Sequence, residues 1–135
     1  MNIKKYWNIS KKHQKVFIVI YILSFAVASA THLRDIISGG FLPYSRYPLW
    51  ANIYWTSLTV MDPVSIVLLL ICFRPGLFAY AAVIISDVII NLSFIIPQQG
   101  IRGVLNIYTI GQVFFLVFLL LTFGSMFNIA KKSHN

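Results

Sequence analysis

The chain reads as all-α, a transmembrane antiparallel four-helix bundle with a kinked second helix. Three observations predict this. Of 135 residues, 59% are hydrophobic and only 10% are charged, against about 25% charged in a soluble domain. The apolar residues gather into four stretches of about 22 to 27 residues, each long enough to cross a ~30 Å hydrocarbon core at ~1.5 Å per residue. The stretches lack strand alternation, and a barrel would need segments of about 10 residues. This composition cannot build a water-facing surface, which excludes cytosolic enzymes, nucleic-acid binders and disordered chains.

The first span is expected over residues 16–37, ended by Gly39-Gly40. Pro43 and Pro48 punctuate the longest loop, and the second span follows over 49–73. Phe73-Arg74-Pro75-Gly76 reads as a tight turn, with Pro75 suited to a first helical position. The third span covers 75–96 and a polar loop runs from Pro97 to Gly103. The fourth covers 104–130. Such short connections join antiparallel neighbours in one compact unit, so residues 1–135 form a single membrane domain.

Orientation follows from the basic residues. Lys4, Lys5, Lys11, Lys12, Lys15, Arg74, Lys131 and Lys132 fall on one side, against Arg46 and Arg102 on the other. The positive-inside rule then places both termini in the cytoplasm of a cell-membrane protein. The basic N-terminus is a topology signal with attraction to anionic lipid, and nucleic acid is not an expected partner. Lysines, an apolar run and Ala28-Ser29-Ala30 imitate a cleavable signal peptide, but the apolar segment continues through Leu33, Ile36 and Ile37. Ala26-x-x-x-Ala30 is a small-residue motif compatible with a homo-oligomer. Cys72 is the only cysteine and reads as a small buried residue.

All three acidic residues, Asp35, Asp62 and Asp87, lie in spans. A charge deep in a bilayer costs several kcal/mol, so it faces a bundle interior or a cavity. Helical rise from the basic end sets the depths. His32, Asp35, Asn91, Tyr108 and Trp55 fall at roughly 22 to 28 Å. Asp87, Gln112 and Thr59 fall at roughly 16 to 18 Å and Asp62 at about 12 Å. Faces agree with depths: Trp55, Thr59 and Asp62 share a stripe extended by Asn52 and Ser65. Asp87 pairs with Asn91, Tyr108 with Gln112, and Thr31 and His32 with Asp35. Four helices with matched polar stripes predict a pocket open to the outside. The bland alternative is a set of interhelical hydrogen bonds worth about 1 kcal/mol each.

Pro63 follows Asp62 in mid-span. It lacks an N–H, so the Thr59 carbonyl loses its helical partner and a kink is expected there. Broken helices of this kind form transporter sites. Arg34 is nearest Asp35, which leaves Asp62 and Asp87 without a cationic side chain. Either one of them then carries a proton, or a cation sits between them.

Other chemistry finds little support. His32 and Asp35 could begin a metal site, but no span offers a second histidine and only Asp87 or Asn91 could add a ligand, so no metal or cofactor is expected. Ser57, Ser86 and Ser93 lack the partners of a nucleophile. Tyr44, Tyr47, Trp50 and Tyr54 read as an interfacial aromatic belt.

The residues Thr31-His32-Leu33-Arg34-Asp35, Gly39-Gly40, Pro43-Tyr44, Tyr54 to Thr59, Asp62-Pro63, Ser86-Asp87 and Asn91 resemble a set of small bacterial four-span membrane proteins. That resemblance covers about residues 30–92 and implies fold and location, with no activity attached. A fainter architectural similarity is to the EXPERA group of sterol isomerases and sigma-2-like receptors. It implies acidic residues, here Asp35, Asp62 and Asp87, around a pocket for an amphiphilic ligand. The histidine and glutamate pattern of the isomerases is not reproduced.

The expected function is therefore binding or transport by a multi-pass membrane protein. Asp62 and Asp87 would hold a cationic amphiphile, a cation or a proton; His32, Arg34 and Asp35 would form the mouth; Asn91, Trp55, Thr59, Tyr108 and Gln112 would orient the ligand. One alternative is an intramembrane enzyme with the aspartates as acid and base, and another is a structural subunit. A neutral or proton-sharing Asp62 predicts that Asp62→Asn is tolerated for folding better than Asp62→Lys. Size-exclusion yield from membranes measures this, and equal loss in both variants would contradict it.

Overall fold

The computed structural model describes residues 10–132. Four helices account for it: α1 (Lys12–Gly39), α2 (Leu49–Ile71), α3 (Phe73–Gly103) and α4 (Ile107–Lys132). All four are long and apolar enough to cross a membrane, and there is no strand among the described residues. Lys4, Lys5 and His134 lie outside the described residues, as do the side chains of Lys131 and Lys132.

Local chemistry sets the boundaries. The α1 N-terminus begins earlier than hydropathy implies, because the Gln14 side chain accepts the Lys11 N–H at 2.9 Å and caps the first turn. Gly40 ends the helix in a positive-φ conformation (φ 86°) open to glycine, its N–H closing on the Ile36 carbonyl. Cys72 alone separates α2 from α3. The segment expected as a polar loop after residue 96 is helical instead. The chain continues through Pro97 and changes direction at Gly100, whose φ of 62° suits glycine alone. The fourth helix starts at 107 and not at 104. Asn106 caps it, accepting the Thr109 N–H at 2.9 Å and donating to the Thr109 hydroxyl at 2.8 Å. α2 runs as one helix through Pro63.

Sequential helices lie against each other, whereas α1 and α4 touch far less. Most of the core sits toward the end of the bundle that carries the α2–α3 turn. Tyr21, Phe25 and Tyr80 stack there, with centroids at 4.5 Å (Tyr21–Tyr80) and 4.1 Å (Phe25–Tyr80). Their polar atoms are met from inside, as a medium without water requires. Tyr21 donates to the Thr122 hydroxyl at 2.6 Å, which itself donates to the Phe118 carbonyl. Tyr80 donates to Ser24 at 2.9 Å, and Ser24 donates to the Tyr21 carbonyl. Leu23, Val64, Ile89 and Leu121 are exposed around the outside. Such a surface is suited to lipid and is the ordinary exterior of a multi-pass membrane protein.

Gly76 shows how tightly α2 and α3 meet. A Cβ built there would lie 2.2 Å from the Leu69 backbone nitrogen. Gly76→Ala therefore forces the helices apart and should cost about 1–3 kcal/mol. Gly124→Ala, with nothing within 4 Å of the added carbon, should be neutral or stabilising by up to about 1 kcal/mol through helix propensity. Denaturation in mixed detergent micelles compares the two, and equal stability would refute the close approach.

Candidate functional site

A cavity of ≈ 520 Å³ occupies the bundle at the end opposite the Cys72 turn, with walls from all four helices and the 40–48 loop. The volume is within the usual range for a small-molecule site. Nine of the ten residues singled out in the sequence line it: His32, Arg34, Asp35, Trp55, Asp62, Asp87, Asn91, Tyr108 and Gln112. Thr59 does not. Successive residues turn ~100° about a helix, so Leu58 takes the wall position beside Trp55 and Asp62. The Thr59 carbonyl accepts a long hydrogen bond from Ser29 of α1, at 3.4 Å. The carbonyl that Pro63 deprives of its helical donor is thus used between helices, away from the cavity.

The two deep carboxylates have unlike surroundings. Asp87 is 7% exposed and both its oxygens are engaged. The Asn91 amide donates to Oδ1 at 2.8 Å and the Gln112 amide to Oδ2 at 2.8 Å. Asn91 also donates to the Gln112 carbonyl oxygen at 3.2 Å. This closed ring ties α3 to α4. The i, i+4 spacing of Asp87 and Asn91 makes half of it from one helix face. Asp62 is 2% exposed, and its Oδ2 is buried without a hydrogen-bond partner. Trp55, two turns away on the same face, is 6% exposed, and its Nε1 is likewise buried without an acceptor. A buried acceptor and a buried donor, both unmet, therefore belong to side chains of one wall.

The upper end holds a second polar network. Arg34 pairs with Asp35 at 3.3 Å. Tyr44 donates to the other Asp35 oxygen at 3.0 Å. Having one hydroxyl proton, Tyr44 must then accept from His32 Nδ1, 3.1 Å away. This assigns the Nδ1–H form to His32. Burial first, then the hydrogen bond and charge of Asp35, hold the Tyr44 phenol above its usual range, so it remains a donor. Asn52 staples the loop down, accepting the Tyr44 N–H and donating to the Leu42 carbonyl, each at 3.1 Å. Tyr47 packs edge-on against Trp55 at 4.9 Å and Phe94 at 5.3 Å.

Tyr44, Tyr47 and Phe94 were not among the expected site residues. Their aromatic character fits an interfacial belt equally well. Pro43 and Pro48 were the available signal, because a short stiff loop must lie close over the helix ends that it joins. Among the described residues Arg34 is the one lysine or arginine on the cavity wall, and it pairs with Asp35. The wall is thus left with a formal surplus of two carboxylates in a mostly apolar chamber. No group of three metal-ligating residues is present among the described residues.

Tyr44→Phe removes the hub of the upper network while keeping its ring on Trp55. It should cost about 1–3 kcal/mol, since His32 loses an acceptor and Asp35 a donor. It should also speed hydrogen exchange across residues 40–48. Exchange mass spectrometry on the purified protein measures this, and unchanged protection would show that the hydroxyl holds nothing.

No protein-family model, curated protein or solved structure matches the chain, so the chemistry of the cavity is the guide to function.

Proposed function

We propose that this chain is a multi-pass cell-membrane protein that binds a small organic cation between Asp62 and Asp87, and holds it or passes it across the bilayer. In this reading both termini are cytoplasmic and the cavity occupies the outer half of the membrane, following the distribution of Lys and Arg. The observation that carries the proposal is the Asp62 carboxylate. It is almost fully buried, its Oδ2 meets no donor, and it shares a cavity with a second acid that no cationic side chain balances. An ammonium group supplies both the missing donor and the missing charge. Polar residues that only held helices together would be paired with each other, as Asp87 is with its two amides. The unmet Trp55 N–H offers a donor to any acceptor that the same ligand carries.

One observation favours a second reading, an enzyme acting on a lipid-like substrate. Carboxylates in contrasting environments are the usual arrangement for an acid and a base. Here Asp87 is clamped by amides and Asp62 is not. Turnover of a lipid substrate that disappears in both Asp→Asn variants would favour it over simple binding.

The direct test is native mass spectrometry of protein extracted in mild detergent, with butylammonium as the added probe. Wild-type protein should retain a small cation or take up butylammonium in preference to butanol. Asp62→Asn should weaken that uptake about 10- to 100-fold, the loss of one charge-assisted hydrogen bond. Thr59→Val should leave it unchanged, because Thr59 is off the wall. Equal uptake of amine and alcohol, or an intact Asp62→Asn response, rules the proposal out.

A further inference from the structure

We infer that the cavity is reached sideways from the lipid, through a gap between α1 and α4, and that its ligand is an amphiphile with a cationic head and a single hydrocarbon chain lying in that gap. This rests on the cation site proposed above and adds the ligand's tail and its route.

α1 and α4 are joined at the end away from the cavity. The Gln14 amide donates to the Ser125 carbonyl at 3.2 Å and to its hydroxyl at 3.0 Å. Tyr21 bonds Thr122, and Phe17 and Tyr21 set their rings edge-on to Phe118 at 5.5 and 5.6 Å. These pairs define an antiparallel register. Followed turn by turn toward the cavity, it brings Ala28 opposite Gly111. Both residues line the cavity, and neither has a side chain able to fill the seam. A Cβ added at Gly111 meets nothing within 4 Å, in contrast to the shut helix contact at Gly76.

Surface exposure points to the same place. Val27 is 64% exposed and Tyr108 59% exposed, yet both line the cavity. Side chains that belong to the cavity wall and to the outer surface at once mark where the two communicate. The upper end is covered differently, by Tyr44 and Tyr47 of a loop stapled through Asn52. Near the mouth the gap is edged by Arg34, paired with Asp35, on one side and by Tyr108 on the other. Below that level the edges are apolar: Val27 and Ala28 on α1, Gly111 and Phe115 on α4. Two carboxylates inside and an apolar slot leading to lipid match the two ends of a long-chain amine. Two small residues facing each other leave room for one chain.

The probe is dodecylammonium carrying a photoreactive diazirine at the chain end, with the full-length protein in nanodiscs. Adducts should map to the slot, on Val27, Gly111 or Phe115, and butylammonium should compete them away. Gly111→Leu puts a side chain into empty space and is compatible with folding. It should weaken dodecylammonium binding about tenfold, as when roughly two methylenes lose their contacts, and leave butylammonium binding unchanged. Val27→Trp, from the opposite edge, should give the same split. Adducts confined to the 40–48 loop, or equal effects of the plugs on both amines, overturn the lateral route while the cation site stands. Absence of both competable labelling and butylammonium binding overturns the two together.

Discussion

Water is absent from the environment that these helices are built for, so each buried polar group must find its partner inside the protein. The ring of Asp87, Asn91 and Gln112 meets that demand at the cavity level, where two amides on two helices occupy both oxygens of one acid. Tyr21 with Thr122, Tyr80 with Ser24 and Gln14 with Ser125 meet it at the opposite end. Between them these contacts hold α1 to α4, α1 to α3 and α3 to α4. Hydrophobic packing cannot select those pairings, because lipid tails are as apolar as leucine.

Against this background the exceptions gain meaning. Asp62 and Trp55 each bury a polar atom with no partner, and both line the cavity. A buried unmet group costs of the order of 1–3 kcal/mol, more if it is charged. The hydroxyls of Thr56 and Thr59 are also buried without a partner, but neither residue lines the cavity, and two other hydroxyls near Asp62 are used elsewhere. Ser65 donates to the Met61 carbonyl, and Ser29 reaches the Thr59 carbonyl that Pro63 leaves without a helical donor. What sets the cavity wall apart is that its two unmet atoms are a carboxylate oxygen and an indole N–H, groups costlier to leave unpaired than a hydroxyl.

The two halves of the bundle divide the work. The half near Cys72 is shut by stacked tyrosines and by the close approach at Gly76. The other half keeps a cavity under a loop stapled by Asn52. α1 and α4 are anchored to each other at the closed end, through Gln14 with Ser125 and Tyr21 with Thr122, while the cavity takes up the opposite half.

Much of the bundle and much of the cavity wall were legible from residue order. Span length follows from composition, and period-3.6 spacing puts Asp87 with Asn91 and Tyr108 with Gln112 whatever the neighbours do. The pairing of Arg34 with Asp35 follows from adjacency. Thr59 was beyond that reach, because a stripe read from spacing is about as wide as the ~40° that separates Thr59 from Trp55 around the helix. The continuation of α3 past Pro97 depended on Gly100 taking a positive φ, and the start of α4 on Asn106 as its cap. Tyr44 and Tyr47 became cavity residues only through the fold of their loop. The order of residues alone thus determined the helical class, the apolar spans and the faces that carry acids, since these are periodic and local. Tertiary structure alone decided which acid is satisfied and which is left unmet, how the loop covers the cavity, and where in the bundle the cavity lies. Each of these depends on distances between helices that no single helix encodes.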